Sequence, residues 1–229
     1  MKTRKVVVYS GTRVVYRDMA AACNSLTYYN PEIDKIYLLA EDEDIGYQLT
    51  DREKIEILDV SGQMYFTEDS PNYARRWSYM ILLRAVYPDI FKDEDLVLSL
   101  DIDTIINKNI KNIWLYDLAD YCLAGVQEPI KTWKNGSLYI NFGVVMMNLK
   151  KLRETGIWLT AWRKLQTEFH GLPEQDVFNE LCTGKILELP SWWNTSCVTL
   201  NNRDPYIWHF AGPDKKDQLK ERQRRFIYE

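Results

Sequence analysis

The chain has 229 residues, 46% hydrophobic and 27% charged, the composition of an ordinary globular protein with ample material for a core. Its 29 Lys and Arg against 33 Asp and Glu leave a net charge of -4, so no global basic field recruits nucleic acid and any anionic ligand must be held by local groups. The cysteines (Cys23, Cys122, Cys182 and Cys197) form no Cys-x-x-Cys pair, and no segment approaches the roughly 20 apolar residues of a membrane span, so a cytoplasmic protein with reduced thiols is expected.

In chain order, the basic start Met1-Lys2-Thr3-Arg4-Lys5 precedes a Val6-Val7-Val8-Tyr9 run too short for a signal-peptide core, which reads as a buried strand over 6–10. A Ser-Gly-Thr turn leads to a helix over 17–29, stopped by Asn30-Pro31 because the residue before proline disfavours helix. Strands follow over 35–40 and 55–59, separated by the acidic run Glu41-Asp42-Glu43-Asp44, which reads as solvated loop. A helix over 75–87 places Trp77, Met80, Ile81 and Ala85 at core spacing, and a strand over 96–100 follows. Beyond it, 122–126 and 139–149 look extended, with Asn141-Phe142-Gly143 breaking the latter run. Helices are expected over 157–168 and from Pro173 through Leu181, and short strands over 186–189 and 206–210. Strands alternating with helices, with no Gly-, Ser- or Pro-rich linker and no repeats, predict one α/β domain with a mainly parallel central sheet flanked by helices. The basic stretch 215–225 reads as a solvated helix, with contact to anionic lipid or a polyanionic acceptor as the sharper alternative.

Asp101-Ile102-Asp103 closes the apolar run Leu96-Val97-Leu98-Ser99-Leu100, at the strand end where open α/β sheets place ligands. On extended chain the two carboxylates share one side, so both reach a single hard cation able to hold a diphosphate; a solvated turn is the plainer alternative. Arg84 lies seven residues after Trp77, on an apolar helix face, and needs an anion there, either Asp101 or a ligand phosphate. His209 closes the strand Tyr206-Ile207-Trp208 and offers nitrogen to the same ion, or else a structural hydrogen bond. Gly212 lets backbone approach a phosphate and Lys215 adds a point charge. In Pro173-Glu174-Gln175-Asp176, helix-start preferences explain the acids, whereas the Gln175 amide suits sugar hydroxyls or a developing charge. His170, just upstream, reads as a surface residue. No Gly-x-Gly-x-x-Gly, Gly-x-x-x-x-Gly-Lys or Gly-x-Ser-x-Gly occurs, which disfavours dinucleotide binding, a P-loop and an α/β-hydrolase.

Four blocks in order resemble family 8 glycosyltransferases of the GT-A fold, the group of glycogenin and bacterial lipopolysaccharide galactosyltransferases. They are Leu100-Asp101-Ile102-Asp103-Thr104, Tyr139-Ile140-Asn141-Phe142-Gly143-Val144 with Met147-Asn148-Leu149, Glu174-Gln175-Asp176-Val177-Phe178-Asn179, and His209-Phe210-Ala211-Gly212-Pro213-Asp214-Lys215. The resemblance implies a Rossmann-like sheet in a single domain, with 1–103 as the nucleotide-binding half and 104–229 as the donor-sugar and acceptor half. It implies that Asp101, Asp103 and His209 bind manganese, or magnesium, across the phosphates of a UDP-sugar, and that Gly212 and Lys215 touch the diphosphate. By the same resemblance Arg84 contacts the phosphate or donor sugar, Asn141 lines the sugar site, and Gln175 faces the anomeric carbon beside Glu174. Val8, Tyr9 and Ser10 match the strand that cradles uracil. The first loop, Gly11-Thr12-Arg13-Val14, departs from relatives that carry an acidic residue and an asparagine, and the chain ends soon after Lys215, without the membrane-attaching tail of some relatives.

The implied activity is metal-dependent, retaining transfer of glucose or galactose from a UDP-sugar to a glycan or protein acceptor. A non-catalytic nucleotide-sugar or carbohydrate-binding protein and a self-glucosylating, glycogenin-like primer are the alternatives. Weak peripheral membrane contact through the basic C terminus and a homodimer remain open at this level. Trp133 and the pair Trp192-Trp193 serve either as stacking surfaces for an acceptor sugar or as core aromatics.

Overall fold

The computed structural model describes residues 4–73, 76–128, 136–196, 204–212 and 215–227. Strand β1 (Val6–Ser10) is followed by helix α1 (Tyr16–Tyr29), then β2 (Lys35–Ala40) and β3 (Ile55–Asp59). Val6 through Tyr9 are wholly buried, as expected of a strand covered on both faces. α1 ends where its sequence says it should: the Asn30 backbone N–H and side-chain amide both donate to Leu26 O, at 3.0 Å each.

The next helical segment differs from expectation. It is a 3-10 helix over Tyr79–Val86 running into the short α2 (Tyr87–Ile90), not an α-helix over 75–87. The cause is Pro88, which has no N–H to give the Arg84 carbonyl; Tyr87 N–H serves that carbonyl instead, an i→i−3 bond. Residues 74–75 lie outside the described residues, and Trp77, 38% exposed, is not a core residue. The spacing argument that linked Arg84 to Trp77 is therefore wrong, although Arg84 itself is buried.

After β4 (Leu96–Leu100) come β5 (Thr104–Ile106), β6 (Leu123–Gln127) and β7 (Ile140–Asn148). β7 is continuous over Ile140–Asn148, but its ladder with β6 is interrupted at Asn141-Phe142-Gly143: Gly125 pairs with Val145 and Gln127 with Ile140, a register shift that answers to the break expected from the sequence. Helices α3 (Leu149–Thr155), α4 (Ile157–Thr167) and α5 (Pro173–Leu181) follow, then β8 (Ile186–Glu188), β9 (Thr195–Ser196), β10 (Ile207–His209) and α6 (Lys216–Gln223).

Seven strands form the main sheet in the order β3-β2-β1-β4-β7-β6-β8. All its pairings are parallel except those of β7, which runs antiparallel to both β4 and β6. Two apolar clusters cover the faces: one gathers the 79–87 segment, α4 and α5 with Val6 and Val8, the other gathers α1 with Val7 and Tyr9. A second, three-stranded sheet in the order β5-β10-β9 lies beyond the end of β4. The basic C-terminal helix is docked on α1, not free in solvent: Leu219 and Gln223 are buried, Gln223 bonds both Arg17 and Asp18, and the Arg225 guanidinium lies over the Tyr28 ring.

Candidate active site

Beyond Leu100 the chain turns. Thr104 N–H (3.1 Å) and the Thr104 hydroxyl (2.6 Å) both donate to Asp101 O. The carboxylates of Asp101 and Asp103 thus converge through a turn, not along extended chain. β5 leaves that turn and pairs antiparallel with β10, placing Thr104 opposite His209, and Phe210 N–H donates to Asp103 O at 2.9 Å. Strand pairing between segments a hundred residues apart is what carries the histidine to the acidic pair. Ligand atoms of Asp101, Asp103 and His209 lie within 4.8 Å of one another, with His209 Nε2 3.5 Å from Asp101 Oδ2 and 3.3 Å from Asp103 Oδ1. Gly143 makes room: a Cβ on it would overlap the His209 ring.

These three residues fit a divalent cation. Asp103 Oδ1 is buried with no hydrogen-bond partner, and two carboxylates with one imidazole suit manganese or magnesium. Burial opposes the His209 imidazolium, but Asp103 and Asp101 override it and raise its pKa to about 10, so a cation binding there displaces a proton. Burial would raise the Asp101 carboxyl, yet the Arg84 charge and the His209 hydrogen bond hold it well below the usual carboxylate range.

A chain of amides fixes the histidine. Gly143 N–H donates to Asn141 Oδ1 (2.9 Å), which leaves the Asn141 Nδ2 facing Glu128 Oε2 (2.8 Å). Asn194 Nδ2 donates to the same Asn141 oxygen (2.8 Å), so Asn194 Oδ1 faces His209 Nδ1 at 3.0 Å. Nδ1 must then carry the proton, and Nε2 is the nitrogen turned toward the carboxylates. Asn194→Ala is expected to weaken Mn2+ binding about 10–100-fold, the usual loss when a ligand's outer partner is removed, and Asn194→Asp, which keeps an acceptor for His209 but sets a carboxylate oxygen against Asn141 Oδ1, to recover only part of it. Calorimetric titration with Mn2+ measures both; equal affinity in wild type and Asn194→Ala contradicts the relay.

Arg84, 2% exposed, meets the structural anion of the two considered from sequence. Its guanidinium pairs with Asp101, with Glu174 Oε1 at 3.1 Å and, through Nε, with Ser99 Oγ at 3.1 Å. Burial pushes Glu174 up to about 7 against the opposing pull of Arg84. A folded pKa above the ordinary value of about 4.3 means that this stabilisation is complete below about pH 4.3 and is lost as pH rises through about 7. Glu174→Gln should therefore raise the melting temperature relative to wild type more at pH 8 than at pH 5. Thermal melts at the two pH values decide it, and an equal difference at both sinks the account.

α5 opens on Pro173, and Asp176 Oδ2 accepts from Leu172 N–H (2.9 Å), closing the helix start as expected of its acids. That places Gln175 under β7: its Oε1 accepts from Phe142 N–H (3.0 Å), while Nε2 donates to Tyr139 Oη (3.2 Å) and Glu128 Oε2 (3.3 Å). Val8 and Tyr9 sit wholly in the core, so of the strand expected to cradle a base only Ser10 is partly open. Gly212 has φ +99, a backbone open to glycine, and Lys215 is the residue just before α6; Pro213 and Asp214 between them lie outside the described residues, as do Trp133 and Cys197. Two surface readings change: His170 is half-buried beside Glu168, and Glu41 and Asp42 of the acidic loop are held by Arg13.

Glu128, Asn194 and Ser99 escaped the sequence reading. Glu128 follows the apolar run of β6, the same strand-end signal as Asp101, and Ser99 is a lone polar residue inside a buried strand. Asn194 follows two tryptophans and gives no signal of its own.

The fold is that of GT-A glycosyltransferases. Galactosyltransferase LgtC, solved with donor and acceptor sugar analogues, superposes with a TM-score of 0.72 at 18% identity over 96% of each chain. The glycosyltransferase GlyE of Streptococcus pneumoniae gives 0.71 at 20% identity over 97% of this chain and 60% of its own. At the level of sequence, residues 40–216 match the profile of Glycosyl transferase family 8, and the chain belongs to that family. A Haemophilus influenzae relative is 24% identical over 175 residues, 64% of this chain and 52% of that protein; GlyE is 27% identical over 157 residues, 65% and 37%. The chain thus spans about half, or less, of these relatives' length. No helix among the described residues is long and apolar enough to cross a membrane.

Proposed function

We propose that this protein is a metal-dependent, retaining glycosyltransferase that moves a hexose, glucose or galactose, from a UDP-sugar to a glycan or protein acceptor. The observation that carries the reading is the convergence of Asp101, Asp103 and His209, with a buried Asp103 oxygen turned to the His209 ring nitrogen at 3.3 Å. A divalent cation held there supplies positive charge to the departing diphosphate. Lys215 and the Gly212 backbone add charge and close approach from the segment just past His209, and Arg84 acts through Asp101, keeping it ionised and oriented. In this reading residues 1–103 bind the nucleotide and 104–229 the donor sugar and acceptor.

Retention is assigned to front-face substitution. The bond from the anomeric carbon to the phosphate oxygen breaks, the acceptor oxygen bonds to that carbon on the same face, and the acceptor proton passes to the leaving phosphate. No carboxylate beside Gln175 is free to act as nucleophile: Glu174 is paired with Arg84, Asp176 with Tyr139 and Leu172 N–H, and Glu128 with Asn141 and Gln175. A sugar trapped covalently on any of these three overturns the mechanism. The function itself is tested by UDP release from UDP-glucose and UDP-galactose with and without Mn2+; release that ignores the metal, or none with either donor, contradicts it.

A further inference from the structure

A cavity of about 270 Å³ opens where the chain leaves the reaction centre, lined by Asn112, Leu115, Tyr116, Trp192, Trp193 and Tyr206. Its wall is pre-assembled. Trp193 and Tyr206 stack at 4.5 Å, Tyr116 meets Trp193 edge-on at 6.4 Å, and the Trp193 indole N–H donates to Tyr116 Oη at 3.1 Å. Tyr206 N–H donates to Trp192 O at 2.9 Å, tying the two sides together. The inner rings are spent on one another, whereas Trp192 is 43% exposed and Leu115 79% exposed at the mouth. Asn112 is exposed there too, and among the described residues no acidic side chain lines the space.

We propose that this cavity is a saccharide subsite that holds one pyranose unit of a glycan acceptor, with the ring's C–H face on Trp192. A hexose ring is apolar on its faces and polar around its edge, and the cavity offers both: aromatic and leucine surface, with an amide and phenol groups beside it. Its volume suits one ring and lies below that of pockets for larger ligands, roughly 300–1,000 Å³. The rigid wall lowers the ordering cost of binding a weakly held neutral ligand. Position supports the acceptor role. Trp193 immediately precedes Asn194, the partner of His209, and Tyr206 stands three residues before His209, about 10 Å along the strand. The acceptor role rests on the transferase reading; the saccharide site does not.

The test is a titration of the metal-free, donor-free protein with lactose and with maltose, followed by the indole N–H signals in a two-dimensional NMR spectrum. One of the two sugars should shift the Trp192 signal saturably, and Trp192→Ala should weaken that binding by about tenfold or more, the loss of one ring-stacking contact. Asn112→Ala, an exposed change that spares the aromatic wall, should weaken it as well. No saturable shift with either sugar overturns the proposal, as does binding that survives Trp192→Ala, or an equal shift produced by UDP, which would mark a nucleotide site. Sugar binding in a protein that releases no UDP from any donor would sink the transferase reading and leave this site standing.

Discussion

Asp103→Asn is expected to cut Mn2+-dependent UDP release by about 10²–10³-fold, the usual cost of removing one group that stabilises charge in the transition state. Asp103 is 29% exposed and its Oδ1 faces His209 Nε2 at 3.3 Å with no other hydrogen-bond partner, so the change removes one partly exposed charge pair and little other structure. The melting temperature should therefore stay near that of wild type while Mn2+ affinity falls. The same change also removes the Asp103 charge that, against burial, raises the His209 pKa, so the ring loses its proton at lower pH than in wild type. UDP release at the wild-type rate from a folded Asp103→Asn protein would remove the cation cluster from the reaction.

Arg84→Met should be the most damaging single substitution for stability. Arg84 joins the buried Glu174 and the partly exposed Asp101 in two ion pairs, and its removal leaves Glu174 buried without its cation. Breaking a buried pair in this way costs about 3–5 kcal/mol. For a chain of this length, that is a drop in melting temperature of roughly 6–20 °C. Arg84→Lys is no remedy, since a single ammonium cannot reach Asp101, Glu174 and Ser99 with the geometry of a planar fork. The double variant Arg84→Met with Glu174→Leu should recover much of the stability, because an apolar pair replaces a buried ionic one, yet it should not recover Mn2+ affinity. Denaturant melts of the three proteins decide this; a loss below about 1 kcal/mol for Arg84→Met shows that the pair is not buried as described.

The parts of the fold legible in the sequence are those with a strong local signature. β1 and β4 are nearly continuous buried runs, while β2 begins on Lys35 and β3 carries the exposed Glu56 and Asp59, and the bounds of all four agree with the sequence reading. α1 and α5 carry their own stop and start signals, Asn30-Pro31 and Pro173-Glu174. The short β5 and β9 have no periodicity to read and exist because β10 lies between them. The segment over 79–86 is buried nearly all round, so its composition does not separate α from 3-10 geometry; the missing N–H of Pro88 does.

For the site, the sequence alone determined the chemistry of the parts: two carboxylates ending one apolar strand, a histidine ending another, and an amide at a helix start. Residue types and strand-end positions are local properties, and they survive any arrangement of the chain. The tertiary structure decided everything that depends on distance. It set His209 against the acidic pair through the β5–β10 register, and it turned Arg84 to Asp101 and Glu174. It also recruited Glu128 and Asn194 into the line of amides that fixes the imidazole proton. Those contacts join segments 13 to about a hundred residues apart, and no spacing along the chain encodes which ones the sheet will bring together.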